Sequence, residues 1–436
     1  RSIGWVVAGG YSYKYKYSVD FNLRLDGSSE FGKDNRWAPF WSTGLRWDVK
    51  KESLLANLSW LSDFVLRATY GTTDSQGFNP YQAHGYYTYA NLLLPYYSSD
   101  ATGSEILAMH NEKLKWQTTR NLNFGLELGA LDHRLTARVE YYRKVTSNMI
   151  TMVSLAPSVG FAQYPENIGK LENRGWELTL SAIPYRNVAR QSYWTVTLNG
   201  SHNADKLLEI SEAMRHINEV NAGNLKNAPL PRYEEGQSVN RIWVVRSLGI
   251  DPMTGNEVFL TRNGEKTFKW NSADKVPVGD TTPKMNGTIS SSVNWRDLSC
   301  TLGFIYKWGG IVYNQTLVDK IENSNIAYNL DRRAAQDRWR KPGDVTKYKR
   351  IDLNGSQTPA SDRFIMKDNE LRLASVNVGY RFKQTDYKLL SRLNIDVLSL
   401  NFTTNDLLRL STVKMERGLG YPFSRSYTFT CSIIFK

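Results

Sequence analysis

The sequence predicts an all-β fold, the wall of an antiparallel transmembrane β-barrel with long extracellular loops. Three observations predict it. First, the chain ends in a strand with two unlike faces. Tyr427, Phe429, Cys431, Ile433 and Phe435 fall on one side, and Ser426, Thr428, Thr430, Ser432 and Ile434 on the other. Alternate side chains of a strand point to opposite faces, so this segment shows apolar matter one way and small polar groups the other. Second, the pattern recurs along the chain, and strands with one apolar and one wet face are how a membrane barrel is written. Third, the connections alternate between short and long, as the periplasmic turns and extracellular loops of such barrels do.

The strands follow from period-two alternation. Residues 3–12 form the first. A tight turn at 14–16 leads into 17–25, where Tyr17, Val19, Phe21, Leu23 and Leu25 oppose Ser18, Asp20, Asn22 and Arg24. Residues 11–25 as one strand would exceed the roughly 9–11 residues a membrane strand needs, so a hairpin is expected. Strands at 37–48 and 64–71 follow. A pair flanks the turn at 131–133, with Leu122, Phe124, Leu126 and Leu128 on one arm and Leu135, Ala137, Val139 and Tyr141 on the other. Another flanks 185–191, with Trp176, Leu178 and Leu180 before it and Trp194, Val196 and Leu198 after it. Pairs at 283–294 with 298–308, and at 371–382 with 392–402, precede the terminal strand at 424–435. That makes 13 strands.

Short links are expected at 13–16, 130–133, 184–192, 295–297 and 383–391. Long ones span 72–114, 146–171, 204–282, 309–370 and 403–423. With the C-terminus periplasmic, every long segment falls outside the cell. The longest is too long to be structureless in a compact protein. Leu207, Leu208, Ile210, Ala213, Met214 and Ile217 recur at helical spacing and predict a helix over 205–221, with a second at 329–340.

Composition is compatible with this class. The chain has 436 residues, of which 12% are aromatic, including 25 Tyr and 13 Trp, enough to furnish girdles at two membrane interfaces. The net charge of +13 is scattered over many turns and loops. It forms no stripe of the kind that reads nucleic acid, and a basic surface toward acidic headgroups accounts for it. Cys300 and Cys431 lie in phase with apolar strand neighbours and read as small hydrophobes rather than a disulfide framework. No apolar run is long enough for a membrane helix. Residues 1–10 read as strand, not as a signal peptide, so the expectation is that the chain starts within a larger precursor.

No enzyme, metal or cofactor site is expected. His84, His110, His133, His202 and His216 are dispersed, without partners at ligand spacing. Glu127, Glu140, Glu177 and Asp396 fall on polar strand faces and read as lumen charges meeting Arg24, Arg138 and Arg381. Binding candidates lie in the loops. Phe78, Tyr81, Tyr86, Tyr87, Tyr89, Tyr96 and Tyr97 crowd one segment, and rings with a polar tip suit sugar faces or peptide side chains. Packing of the loop itself is the competing reading. Arg332, Arg333, Arg338, Arg340 and Lys341 form a basic cluster able to meet acidic groups or to sit on a solvated helix.

An ordered set of segments carries a family resemblance. It includes Arg24-Leu25-Asp26-Gly27-Ser28-Ser29 with Phe31-Gly32 and Asn35-Arg36-Trp37, then Leu66-Arg67-Ala68-Thr69-Tyr70-Gly71. Asn167-Ile168-Gly169-Lys170 with Glu172-Asn173-Arg174-Gly175-Trp176-Glu177 comes next, then Gly249-Ile250-Asp251-Pro252 with Thr254-Gly255. Gly279-Asp280 with Thr282-Pro283-Lys284, Arg338-Trp339 with Pro342-Gly343-Asp344, and Glu370-Leu371-Arg372-Leu373 with Gly379-Tyr380 complete it. Together these resemble the SusC/RagA branch of TonB-dependent outer-membrane transporters. The resemblance implies a plugged barrel of about 22 strands. Residues 1–436 would be its C-terminal portion, with the plug and the N-terminal strands absent from this chain. Open edges cannot stand in lipid, so another stretch of polypeptide must complete the wall.

The resemblance further implies active import of oligosaccharides, or of oligopeptides by the same mechanism. Expected partners are a SusD-like lipoprotein, TonB acting through the absent plug segment, the N-terminal part of the same transporter, and outer-membrane lipid. A dimer of transporter–lipoprotein units is also implied. Tyr86, Tyr87, Tyr89, Tyr96, Tyr97 and Arg338 are the expected substrate contacts. A passive porin or adhesin barrel is the reading from a different class.

Overall fold

The structure is a computed structural model. It describes residues 1–436 except 76–86, 92–101, 107–110, 112, 155–162, 168, 224–225, 326, 328, 352–356 and 414–423. Its dominant element is a 13-stranded antiparallel sheet in which each strand pairs with its successor. The strands are β1 Ser2–Tyr13, β2 Tyr17–Ser28, β3 Trp37–Asp48 and β4 Leu61–Ser75. Then come β5 Gln117–Ala130, β6 Leu135–Ser147, β7 Lys170–Asn187 and β8 Ser192–Glu209. The wall ends with β9 Met285–Trp295, β10 Leu298–Tyr313, β11 Ile365–Lys383, β12 Ile395–Ser411 and β13 Tyr427–Phe435. The expected strand number and order hold. Among the described residues β1 and β13 pair with one neighbour each, so the wall is open at both edges.

The register makes the two faces continuous from strand to strand. In the middle of the sheet Val139 faces Leu178, Leu180 faces Leu198, Leu198 faces Ile289 and Ile289 faces Phe304. The other face carries Thr136, Ser181, Thr197 and Ser290 in the same line. Each face is one stripe because the side-chain period is two, and a slip of one residue would invert it. The apolar stripe is bounded by two aromatic bands. Tyr17 stacks on Trp47 and Tyr185 on Trp295 near the short turns. Toward the long connections lie Trp41 against Tyr70, then Tyr141 facing Trp176, and Trp308. Such bands mark the two interfaces of a membrane barrel. Cys300 and Cys431 sit on the apolar register, facing Val293 and Leu400.

The turns show how short links are closed. Lys16 N donates to Tyr13 O at 3.0 Å, with Lys14 at φ 50° and Tyr15 at φ 54°. Two central residues at positive φ give the turn whose twist matches a right-handed hairpin. Glycine is required at one close approach on the wall. The Tyr306 hydroxyl donates to Asn199 O at 2.9 Å. It would lie 3.0 Å from a Cβ at Gly200 and 2.7 Å from one at Gly287. The hydroxyl reaches Asn199 O between the two strands only because neither carries a side chain there.

Three expectations are corrected. The helix expected over 205–221 forms only at Glu212–Gly223, because residues 205–209 extend β8 and bond to a neighbouring segment, Leu207 N donating to Gln237 O at 2.8 Å. The helix at 329–340 shrinks to Arg332–Gln336. Many wall strands run well past the expected boundaries, since they continue beyond the apolar band on the side of the long connections.

Candidate functional site

The long connections at 210–284 and 314–364 fold together above the ends of β8 to β11. Four strands of the first, Arg241–Ile250, Glu257–Leu260, Lys266–Thr267 and Lys275–Asp280, form a separate small sheet. Ile242 and Val244 of that sheet are buried with Ala360, against Ile311 and Tyr313 of β10 and Ile365 of β11. Hydrophobic burial thus seats this cap on the wall.

Arg363 locks the two connections together. Its Nη2 donates to Glu257 Oε2 at 3.0 Å and to Glu322 Oε1 at 2.5 Å, one carboxylate from each connection. Ser361 Oγ donates to the other Glu257 oxygen at 2.6 Å, and Arg363 Nη1 donates to Lys347 O at 2.6 Å. Glu257 and Glu322 are 6% and 2% exposed, so their charges are tolerable only because they are paired. Burial alone would lower the Arg363 pKa, but Glu257 and Glu322 reverse this and hold the guanidinium above its ordinary value. Neighbouring Asp362 behaves oppositely. Burial pushes its carboxyl up, against the pull of the bond it accepts from Ser247 N at 2.7 Å. Trp270 Nε1 to Ala360 O at 3.0 Å and Tyr313 hydroxyl to Asn227 O at 2.9 Å add further ties.

Two of the motif segments turn out to be halves of one joint. Trp339 Nε1 donates to Pro252 O at 2.8 Å, and Gly343 N donates to the same carbonyl at 2.9 Å. Gly255, at φ +68°, lies under the Trp339 ring, and a Cβ there would be 2.5 Å from a ring atom. Gly255→Val therefore combines left-handed strain with a steric clash and is expected to cost about 2–4 kcal/mol of cap stability. Faster proteolysis of the 241–350 region, with the wall intact, is the check; unchanged cleavage would refute the joint.

The expected contact residues fare unequally. Tyr86, Tyr96 and Tyr97, with Phe78 and Tyr81, lie outside the described residues. Tyr87 and Tyr89 fall two apart on the strand Tyr87–Asn91, which pairs with Thr102–Ile106. Arg338 belongs to a different connection and is 4% exposed, a correction to its expected role. Its guanidinium donates to Ala334 O at 2.7 Å and Lys349 O at 2.9 Å, and to the carbonyls of Ile321 and Glu322. Burial lowers its pKa, with Glu322 opposing. Arg338 thus serves the free carbonyls of a tight loop, leaving no fork for a ligand. Within the same cluster Arg333 pairs with Asp331 at 2.6 Å and Arg340 donates to Ala335 O at 2.5 Å.

A polar cavity of about 460 Å³ was not foreseen. Thr316, Asp319, Asn323, Asn325 and Asn329 line it, together with the charged Lys320, Asp331 and Arg333. Asn323 Oδ1 accepts from Thr358 N and Oγ1 at 3.0 and 2.9 Å, while its Nδ2 is buried without a partner among the described residues. Amides, hydroxyls and carboxylates together suit ligands rich in hydroxyl or amide groups. The signal in the sequence was the density of asparagine at 323–329.

On the polar face of the wall, Glu127 is held by Arg67 at 3.0 Å and Arg138 at 2.7 Å, and Glu140 by Arg67 at 3.1 Å. These are paired lumen charges rather than an acid–base couple. Among the described residues no group of three His, Cys, Asp or Glu is placed to hold a metal.

The family model described as "TonB dependent receptor-like, beta-barrel" matches residues 5–233, more than half of the chain. The chain belongs to the TonB-dependent receptor-like β-barrel family. Members of this family are outer-membrane proteins. Similar proteins include the TonB-dependent receptor SusC of Bacteroides thetaiotaomicron, 28% identical over 86% of this chain and 37% of that protein. TonB-dependent receptor P39 of Formosa agariphila is 25% identical over 91% of this chain and 41% of its own length. The chain spans about two-fifths of the length of these curated relatives. The solved RagAB peptide transporter superposes with TM-score 0.80 at 23% identity, over 95% of this chain and 44% of that one. An open-open state of the RagAB peptide importer gives 0.78 at 24% identity. The SusC likeness agrees with the SusC/RagA branch that the motif segments resemble, and the RagAB superposition shows the same fold. These relatives are named as receptors and transporters, not as enzymes.

Proposed function

We propose that this chain is the C-terminal portion, residues 1–436, of an outer-membrane active importer of oligosaccharides. The observation that carries the reading is the cap. Two long connections are clamped by Arg363 over one end of the wall, and they enclose a polar cavity beside it. A passive pore has no need of such a clamped lid. In this reading the C-terminus is periplasmic and the cap extracellular. A SusD-like lipoprotein closes over the mouth, and TonB supplies energy through a plug carried by the rest of the transporter. Such units pair as dimers. Tyr86, Tyr87, Tyr89, Tyr96 and Tyr97 are the aromatic cargo contacts in this reading, since rings with a polar tip suit sugar faces, and the polar residues around Asn323 supply hydrogen bonds. The second reading is oligopeptide cargo, since amide-lined cavities accept both and the RagAB structures are named for peptides.

The test is mild-detergent purification of the full-length transporter from outer membranes, with mass spectrometry of co-purifying proteins and bound small molecules, followed by uptake of labelled glycans and peptides with and without TonB. Co-purified lipoprotein and TonB-dependent glycan uptake are the expected result. TonB-dependent peptide uptake would move the assignment to the second reading. TonB-independent flux would overturn active import.

A further inference from the structure

The apolar face of the wall ends in a basic collar. On β7 the outward series runs Tyr185, Ala182, Leu180, Leu178 and Trp176, and the next position on that face is Arg174. On β6 the series ends at Tyr141 and continues to Arg143, which faces Arg174. On β8 it passes His202, opposite Trp176, and reaches Lys206. Arg143 is held by Glu172 at 2.5 Å. Arg174, Lys206 and nearby Lys284 have no carboxylate partner among the described residues, and all three are exposed.

Beside this collar, where β9 has not yet begun, a seam opens between the upper parts of β8 and β10. It encloses about 700 Å³, lined by Arg174, Lys206, Arg241, Lys284, His202 and the two carboxylates Asp205 and Asp280. Asp205 is already occupied, accepting from Ser238 Oγ at 2.8 Å, Val239 N at 2.7 Å and Asn240 Nδ2 at 3.2 Å. Asp280 faces Arg241 at 3.4 Å. Arg241 Nε and Asp280 Oδ1 are both buried without a hydrogen-bond partner among the described residues. The cavity therefore has an excess of cations and polar atoms left to satisfy. It lies one to two strand positions above the aromatic band, at the depth where lipid headgroups sit.

We propose that this cavity binds a phosphoryl group, and that the group belongs to a lipid of the outer leaflet whose chains lie along the apolar face below. Unpaired Lys and Arg make short charge-assisted bonds to phosphate oxygens, and a site at headgroup depth meets lipid phosphate at high local concentration. The inference rests on the extracellular placement of the cap proposed above.

The experiment uses the full-length transporter from outer membranes, in mild detergent, read by native mass spectrometry. The wild type is expected to retain a phosphorylated lipid. The combined variant Arg174→Gln, Lys206→Gln, Lys284→Gln is expected to lose it at least tenfold, and Arg174→Lys with Lys206→Arg is expected to retain it. Equal retention in the Gln variant overturns the proposal. Should that variant fail to assemble, wild type in nanodiscs is compared with phosphorylated and enzymatically dephosphorylated lipid, and equal binding overturns it. Displacement of the lipid by millimolar inorganic phosphate supports the phosphoryl site; phosphate bound with no lipid preference overturns the lipid source. Lys206→Cys, made with Cys300→Ser and Cys431→Ser and labelled on intact cells by an impermeant maleimide, tests the orientation separately. Labelling without lipid loss in the Gln variant would sink the lipid site alone, whereas no labelling would sink the orientation.

Discussion

Arg363→Met is expected to release the cap from itself while leaving the wall standing. The side chain length is nearly kept, but Glu257 and Glu322 lose their shared cation in a place where neither reaches water. Breaking one member of a buried ion cluster costs about 3–5 kcal/mol, mostly because the surviving charges stay buried and unpaired. The loss is local, since the wall is held by its own ladder of backbone bonds. Hydrogen exchange should therefore rise by two to three orders of magnitude over 241–280 and 318–348, with the centre of β7 to β10 unchanged. Protection equal to wild type would refute the lock. Adding Glu257→Gln and Glu322→Gln should recover part of the loss, because the cost sits in the orphaned carboxylates. The sign of the pH dependence is fixed too. A cation whose folded pKa is raised stabilises at every pH below its unfolded value and loses this only as pH rises through the folded value. For an arginine that window lies above roughly pH 12, so the Arg363 contribution should not change across physiological pH.

The wall was legible in the sequence because one rule governs it. Alternation with period two gave every strand from Ser2–Tyr13 to Tyr427–Phe435, since membrane and lumen demand opposite chemistry from adjacent residues. The ends of strands were less legible. Beyond Trp176 and Trp308 no lipid enforces the alternation, yet β7 continues to Lys170 and β10 to Tyr313, held by backbone pairing and by contacts with the cap and neighbouring strands that the alternation does not announce. The cap was nearly opaque. Val244 is far in sequence from Ala360 and Ile365 and meets them only through tertiary packing. Asp205–Glu209 had helical spacing, but the open edge of β8 offered backbone partners at Gln237 that a helix would forgo. Arg338 looked like a ligand contact because nothing in its spacing tells that Ala334, Lys349 and Ile321 would turn their carbonyls toward it. The asparagine cavity was visible only as composition.

A pair of adjacent substitutions tests the register of the whole wall. Leu198 lies midway along the outward series of β8, between Trp194 and His202, and faces Leu180 and Ile289. Leu198→Arg puts a guanidinium at mid-depth on the apolar face. There it costs about 2–4 kcal/mol in a membrane barrel, enough to deplete folded protein in the outer membrane. Thr197 is the next residue and faces Ser181 and Ser290, with its hydroxyl 3.3 Å from that of Ser181. Thr197→Arg adds the same charge to the polar face, among hydroxyls, and is expected to leave insertion within about twofold of wild type. Heat-modifiable migration of the folded barrel on gels reads both variants. A soluble β-sheet covered by another layer would tolerate neither arginine or either one, according to which face is covered. Separation in the stated direction requires an apolar cover on the Leu198 side and water on the Thr197 side, and heat-modifiable migration of protein taken from the outer membrane shows that the cover is lipid. Equal tolerance would mean the stripe does not face a membrane. The reversed order would mean the faces are assigned the wrong way round, and the collar at Arg174 and Lys206 would then line the lumen.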